Sequence, residues 1–156
     1  MADFAARIEV DGPSLASVDA TLAALPDSIL AQIERAQNAN AIDMQSTARD
    51  EVQRGARTGR TYRRGKKGHI VHQASAPGEP PKSDTGNLVS HIRGFVKNRF
   101  TAVLEAATKY ARFLEFGTRS MGARPFLDRA AAIVLSRATA RLVEAIRAGV
   151  RALGNG

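Results

Sequence analysis

The chain contains no cysteine. Disulfides, thiolate metal sites and cysteine nucleophiles are therefore excluded, and folding in a reducing cytoplasm is compatible with the composition. Histidine is nearly as scarce: His69, His72 and His91 are the whole soft-ligand repertoire. His69 and His72 have a spacing that suits a metal pair, but only Glu79 lies near them, so no metal site is expected. No apolar run approaches the roughly 18 residues of a membrane span. The N-terminal Met-Ala-Asp-Phe carries an acid where a secretory leader carries bases, so a protein not exported by a cleaved leader, and with no membrane partner, is expected. Catalytic signatures are missing too: there is no His-Glu-x-x-His, no nucleophile elbow, and no glycine-rich loop between a strand and a helix. Thr58-Gly59-Arg60 and Gly65-Lys66-Lys67-Gly68 are glycine-spaced but sit in a basic coil. We expect no enzyme, no cofactor and no catalytic residue.

Acids are absent between Glu51 and Glu79, and this gap divides the charge. Residues 1–51 hold nine acids and three bases, a net of −6, so the remainder carries +14 of the total +8. Three readings follow: the basic part meets a polyanion, the acidic part of one copy meets the basic part of the next, or the surface is simply solvated with uneven sign. At 156 residues one domain, 1–156, is the expectation.

Arg7-Ile8-Glu9-Val10 alternates polar and apolar and runs into Asp11-Gly12-Pro13, which predicts a short strand. Ser14 then caps a helix with Leu15, Val18, Leu22 and Leu25 at helical spacing. Pro26 interrupts it, and Asp27 or Ser28 caps a restart. From there Ile29, Ile33, Ala36, Met44, Ala48 and Val52 trace one stripe of a long helix reaching about Arg54. Around Asn38-Ala39-Asn40-Ala41 the stripe is thin, which predicts close packing on a flat surface.

Residues 55–83 lose all periodicity and read as a long mobile basic arm between the helix and the sheet. Within the arm, His69-Ile-Val-His72 can pair briefly as a strand. Arg57, Arg60, Arg63, Arg64, Lys66 and Lys67 supply charge for phosphates, with Tyr62 placed to stack on a base. Beyond the turn Asp84-Thr85-Gly86-Asn87, Leu88 to Val96 predicts a strand. A hairpin partner follows, facing the core with either Phe100, Ala102 and Leu104 or the set Thr101, Val103 and Glu105.

Tyr110 to Phe116 predicts a short helix, with Gly117 as a left-handed C-cap and Pro125 beginning the next helix. This last helix, 125–153, gathers Leu127, Ala131, Val134, Leu135, Ala138, Leu142, Ile146, Val150 and Leu153 on one broad face and Arg129, Arg137, Arg141, Arg147 and Arg151 on the other. Three of the six phenylalanines, Phe113, Phe116 and Phe126, flank the joint and are expected to lock both helices onto the sheet. Glu115 among them reads as a perturbed acid, an exposed helix end, or a partner of Arg112, Arg119 or Arg124. The pair with Arg124 is the expected fixing contact. The fold class implied is α+β: a small antiparallel sheet packed by a long N-terminal and a long C-terminal helix, with a long basic loop.

Four motifs occur in order: Ser75-Ala-Pro-Gly-Glu-Pro-Pro81, Asp84-Thr-Gly-Asn-Leu-Val-Ser-His-Ile92, Tyr110-Ala111 with Leu114-Glu-Phe-Gly-Thr118, and Ala123-Arg-Pro-Phe-Leu127. Together they resemble the tail-completion, neck or tail-terminator proteins of long-tailed phages, also found in prophages and gene transfer agents. The resemblance covers about residues 75–130. It implies an α+β subunit of a homo-oligomeric ring, usually a hexamer, at the head–tail junction of the virion, assembled in the host cytoplasm. Its partners would be the tail-tube protein, a head-closure or connector protein, and packaged DNA or the tape-measure protein. Tyr110, Phe113, Glu115, Phe116, Gly117, Thr118, Arg124, Pro125 and Phe126 would then be fold and assembly residues. The alternative from another class is a non-specific nucleic-acid-binding protein acting through the basic arm.

Overall fold

The computed structural model describes residues 6–11, 25–56 and 58–154. Its elements are β1 (Ala6–Asp11), α1 (Asp27–Arg54), β2 (Thr61–Arg64), β3 (Ile70–Gln73), α2 (Asn87–Ser90), β4 (Ile92–Asn98), β5 (Thr101–Ala106), α3 (Ala111–Phe116) and α4 (Leu127–Gly154). The fold is α+β, with α1 and α4 packed on a three-stranded antiparallel sheet of order β1-β5-β4 and a separate β2-β3 hairpin. The helix expected from Ser14 lies, apart from Leu25, outside the described residues, as does Arg57.

Every residue of β5 is buried, as the central strand of the sheet requires. The two candidate faces are thereby told apart: Ala102, Leu104 and Ala106 join the core with Met44, Val52, Ile92 and Phe126. On the opposite row Glu105 pairs with Arg93 across the β4-β5 ladder at 2.6 Å. Hairpin β4-β5 forms as the pattern predicts, but Asn87 to Ser90 is one helical turn rather than strand. The turn is local: the Ser90 and His91 amides bond the Gly86 and Leu88 carbonyls.

Helix α1 buries the predicted stripe from Ile29 to Val52, together with Gln37, Asn40 and Ala41. It starts without a side-chain cap, contrary to the expectation for Asp27 and Ser28, because the Pro26 carbonyl takes the Ile29 and Leu30 amides. The close packing expected around Ala41 is present. A Cβ on Gly94 of β4 would stand 2.0 Å from the Ala41 carbonyl oxygen, and the Gly94 amide donates to Gln45 Oε1 at 2.9 Å. Helix α4 approaches α1 through small residues, and a Cβ on Gly149 would fall 2.8 Å from the Ile29 Cα.

The broad apolar face of α4 is divided. Leu127, Ala130, Val134, Ala138 and Gly149 are buried, whereas Leu135, Ile146, Val150 and Leu153 are exposed. Small residues set the interhelical distance, so the larger ones, turned away from α1, stay outside.

Candidate functional site

The joint between α3 and α4 is built on Glu115, 4 % exposed at the inner face of α3. Its Oε2 accepts the Phe126 and Leu127 amides at 3.0 and 3.1 Å, and Oε1 accepts the Asp128 amide at 2.9 Å. These are the donors that a helix start leaves without intrahelical partners, and a carboxylate also complements the positive end of the helix dipole. Glu115 thus caps α4 and does not pair with Arg124. Arg124 is engaged elsewhere: its amide donates to the Leu114 carbonyl at 2.7 Å, and its Nε donates to the Ser75 carbonyl at 3.2 Å. Pro125 precedes the first turn rather than occupying it, since α4 begins at Leu127.

Gly117 ends α3 with φ 75° and ψ −176°, a positive-φ cap that is extended rather than left-handed helical. The chain turns there at once into the Thr118–Met121 bridge, and a Cβ would meet the Ala123 nitrogen and the Met121 oxygen at 2.8 Å. Thr118 closes that turn, its Oγ1 accepting the Met121 amide at 3.1 Å.

Only one of the three phenylalanines locks the joint. Phe126 is fully buried, while Phe113 is 46 % and Phe116 67 % exposed. In a six-residue helix, Ala111, Leu114 and Glu115 share the inner side, which places Phe113 and Phe116, three apart, outside. With Arg112, Gly117 and Thr118 they line a shallow hollow.

All four sequence motifs converge on one cleft of about 620 Å³, which Ser75, Pro77, Asp84, Asn87, Tyr110 and Arg124 help to line. Tyr110 faces it and accepts a hydrogen bond from Asn87 Nδ2 at 3.0 Å. Sequence reasoning found these motifs singly, but their meeting depends on the turn at Gly117 and on Arg124 reaching residue 75.

The basic arm is a structured finger. Strands β2 and β3 pair Thr61 with Gln73, Tyr62 with His72, Arg63 with Val71 and Arg64 with Ile70. The ladder continues below them through Gly59 N–H to the Ala74 carbonyl and Ala74 N–H to the Arg60 carbonyl. Glu79 ties its base, accepting from Thr58 Oγ1 at 2.5 Å and from the Ala76 amide at 2.8 Å; the Thr58 bond, then that amide, hold its carboxyl below the usual range. His72 Nδ1 stands 3.3 Å from Asp84 Oδ1 and leans the finger on the body. Tyr62 lies opposite His72 and lines the cleft with it, yet remains 48 % exposed. Arg60, Arg63 and Lys67 are exposed. Arg64 closes β2, and Lys66 opens the turn 66–68 at the tip. At that tip Lys67 adopts φ 68°, a left-handed conformation costing a non-glycine residue about 1 kcal/mol.

Across the long helices, Asp43 Oδ1 and Oδ2 accept from Arg137, and Oδ2 accepts from Arg141 at 2.7 Å; Glu51 pairs with Arg129 at 3.0 Å. The Arg137 bond chiefly, then Arg141, hold the Asp43 carboxyl below its ordinary value against the opposing effect of burial. The acidic and basic parts of the chain therefore meet partly within one subunit, which sequence alone could not show.

Among the described residues no group of three His, Asp or Glu side chains is arranged to hold a metal, and no helix is long and apolar enough to cross a membrane. No protein-family model, curated protein or solved structure matches the chain.

Proposed function

We propose that the protein is a non-enzymatic structural subunit of a tailed-phage particle. It assembles into a homo-oligomeric ring, hexameric as the resemblance implies, that completes the tail and joins it to the head. Tail-tube protein then abuts one side and a head-closure or connector protein the other. The observation that carries this reading is the outward placement of Phe113 and Phe116 in the most distinctive motif of the chain. Two large rings held on the surface of a short helix, beside a buried joint that needs only Phe126, suit a protein–protein contact. The exposed apolar residues of α4 add a second such surface, and a head-to-tail ring requires two different ones per subunit.

Electron microscopy of the purified full chain, with native mass measurement, tests the proposal. Closed rings of one defined stoichiometry are expected. A chain that stays monomeric at assembly concentrations, or forms an isologous dimer, contradicts it.

A further inference from the structure

We infer that the β2-β3 finger is a contact for duplex DNA, made through phosphates and without reading sequence. The inference rests on the finger alone and holds whether or not the chain closes into a ring.

The finger is a two-stranded ribbon of four residues per strand whose tip and base present cations, and among the described residues Arg60, Arg63 and Lys67 form no ion pair. The carboxylates close to it are already committed: Glu79 to Thr58 and the Ala76 amide, Asp84 to His72. No acid occurs from residue 52 to 78 to repel a polyanion. Within α1, Asp43, Asp50 and Glu51 pair with Arg137, Arg54 and Arg129 of their own chain, which among the described residues leaves Asp27 and Glu34 as the exposed, unpaired acids that helix could offer a neighbouring copy. A partner with its own dense negative charge, as a nucleic acid has, matches the finger's cations better than two scattered carboxylates.

Shape selects the duplex. A two-stranded β-ribbon fits the major groove of B-DNA, about 12 Å wide. Single-stranded binding relies on a row of aromatic platforms for successive bases, and the finger carries one Tyr, half-exposed Tyr62 opposite His72, and no Phe or Trp. At the tip a lysine occupies the positive-φ position of Lys67, where glycine would fit without strain, so a charge is kept at a conformational cost. Gln73, the exposed amide of the ribbon, is already engaged with the Gly59 carbonyl at 3.3 Å, and the remaining Arg and Lys suit phosphates rather than base edges.

The test is fluorescence anisotropy of the full chain with a 30-base-pair random duplex from about 50 to 200 mM salt. Wild type is compared with the triple variant Arg60→Ser/Arg63→Ser/Lys67→Ser, whose positions are exposed and should leave the thermal melt unchanged. If each cation neutralises one phosphate, the triple variant lowers the log–log salt slope by about 2.7. The affinity ratio between the two salt concentrations then shrinks roughly 40-fold. The control Arg99→Ser/Arg119→Ser, at exposed positions away from the finger, keeps the wild-type slope. An unchanged slope in the triple variant, or no duplex binding by wild type, overturns the inference. Equal binding of polyglutamate points to an acidic protein partner, and equal binding of the single strand removes the duplex; either also overturns it. Native mass measured on the triple variant separates the two readings, since loss of oligomers there would assign the finger to the subunit contact instead.

Discussion

Glu115 holds three backbone donors at once, and its cost if lost follows from where those donors are. The Phe126 and Leu127 amides belong to fully buried residues, so no water replaces the carboxylate. Glu115→Ala should lower stability by about 2–3 kcal/mol, read as roughly 5–10 °C in a thermal melt. Glu115→Gln, which keeps an acceptor but loses the charge, should fall between. Arg124→Ala should cost less, and the double variant should be additive. Strong coupling between the two positions would restore the ion pair that the geometry rejects. Gly94 is the second sensitive residue, because α1 crosses β4 with the Ala41 carbonyl where a side chain would begin. Gly94→Ala should destabilise by about 2–4 kcal/mol, through overpacking rather than lost flexibility, as denaturant unfolding would measure.

Among the elements, α1, β1, the β4-β5 hairpin, α3 and α4 were all legible from periodicity and from Pro and Gly punctuation. Periodicity reports how wide an apolar face is, not which half a neighbour covers. The inward set of α4 was therefore readable only in part, and the outward Leu135, Ile146, Val150 and Leu153 were not separable from it. Of the finger only the second strand was legible, as the brief pairing expected at His69–His72 and found at Ile70–Gln73; the first was not. Thr61-Tyr-Arg-Arg64 has no apolar alternation, and what orders it is non-local: the register with Ile70–Gln73, the Glu79 tie and the His72–Asp84 contact. Of the candidate site, the motif residues were visible but the cleft they form was not. Pairing between the long helices likewise joins residues almost a hundred positions apart, and it makes a pH prediction. Asp43 has a carboxyl held below its ordinary value of 3.8, so its contribution to stability is fully present above that pH and is lost as pH falls through the lower folded value. Asp43→Asn should lower stability at neutral pH and flatten its acid dependence below about pH 4. A variant that melts with the same acid profile as wild type would show that the Arg137–Asp43–Arg141 cluster does not stabilise the helix pair.

For the whole molecule the question is what would hold the copies of the proposed ring together. The charge asymmetry, −6 in residues 1–51 against +14 beyond, first points to electrostatic attachment between neighbours. Asp43 and Glu51 meet α4 arginines of their own chain, however, and Asp50 meets Arg54. Three of the nine acids of residues 1–51 are thus engaged inside the chain, and exposed charge pairs are screened by salt in any case. Apart from unpaired charges among the described residues, such as Arg60, Arg63 and Lys67 of the finger and Asp27 and Glu34 of α1, what the surface offers for burial is apolar: Phe113 and Phe116 at one place, the outer stripe of α4 at another. Apolar burial is not weakened by salt and is strengthened by excluded ions. The proposed ring should therefore persist, or assemble more readily, as sodium chloride rises from 0.05 to about 1 M. Phe113→Ser/Phe116→Ser should yield a monomer with the wild-type melting temperature, because neither ring belongs to the core. Native mass across the salt series checks both halves of the argument. Dissociation at high salt would return charge to the interface, and intact rings of the double variant would leave α3 outside it.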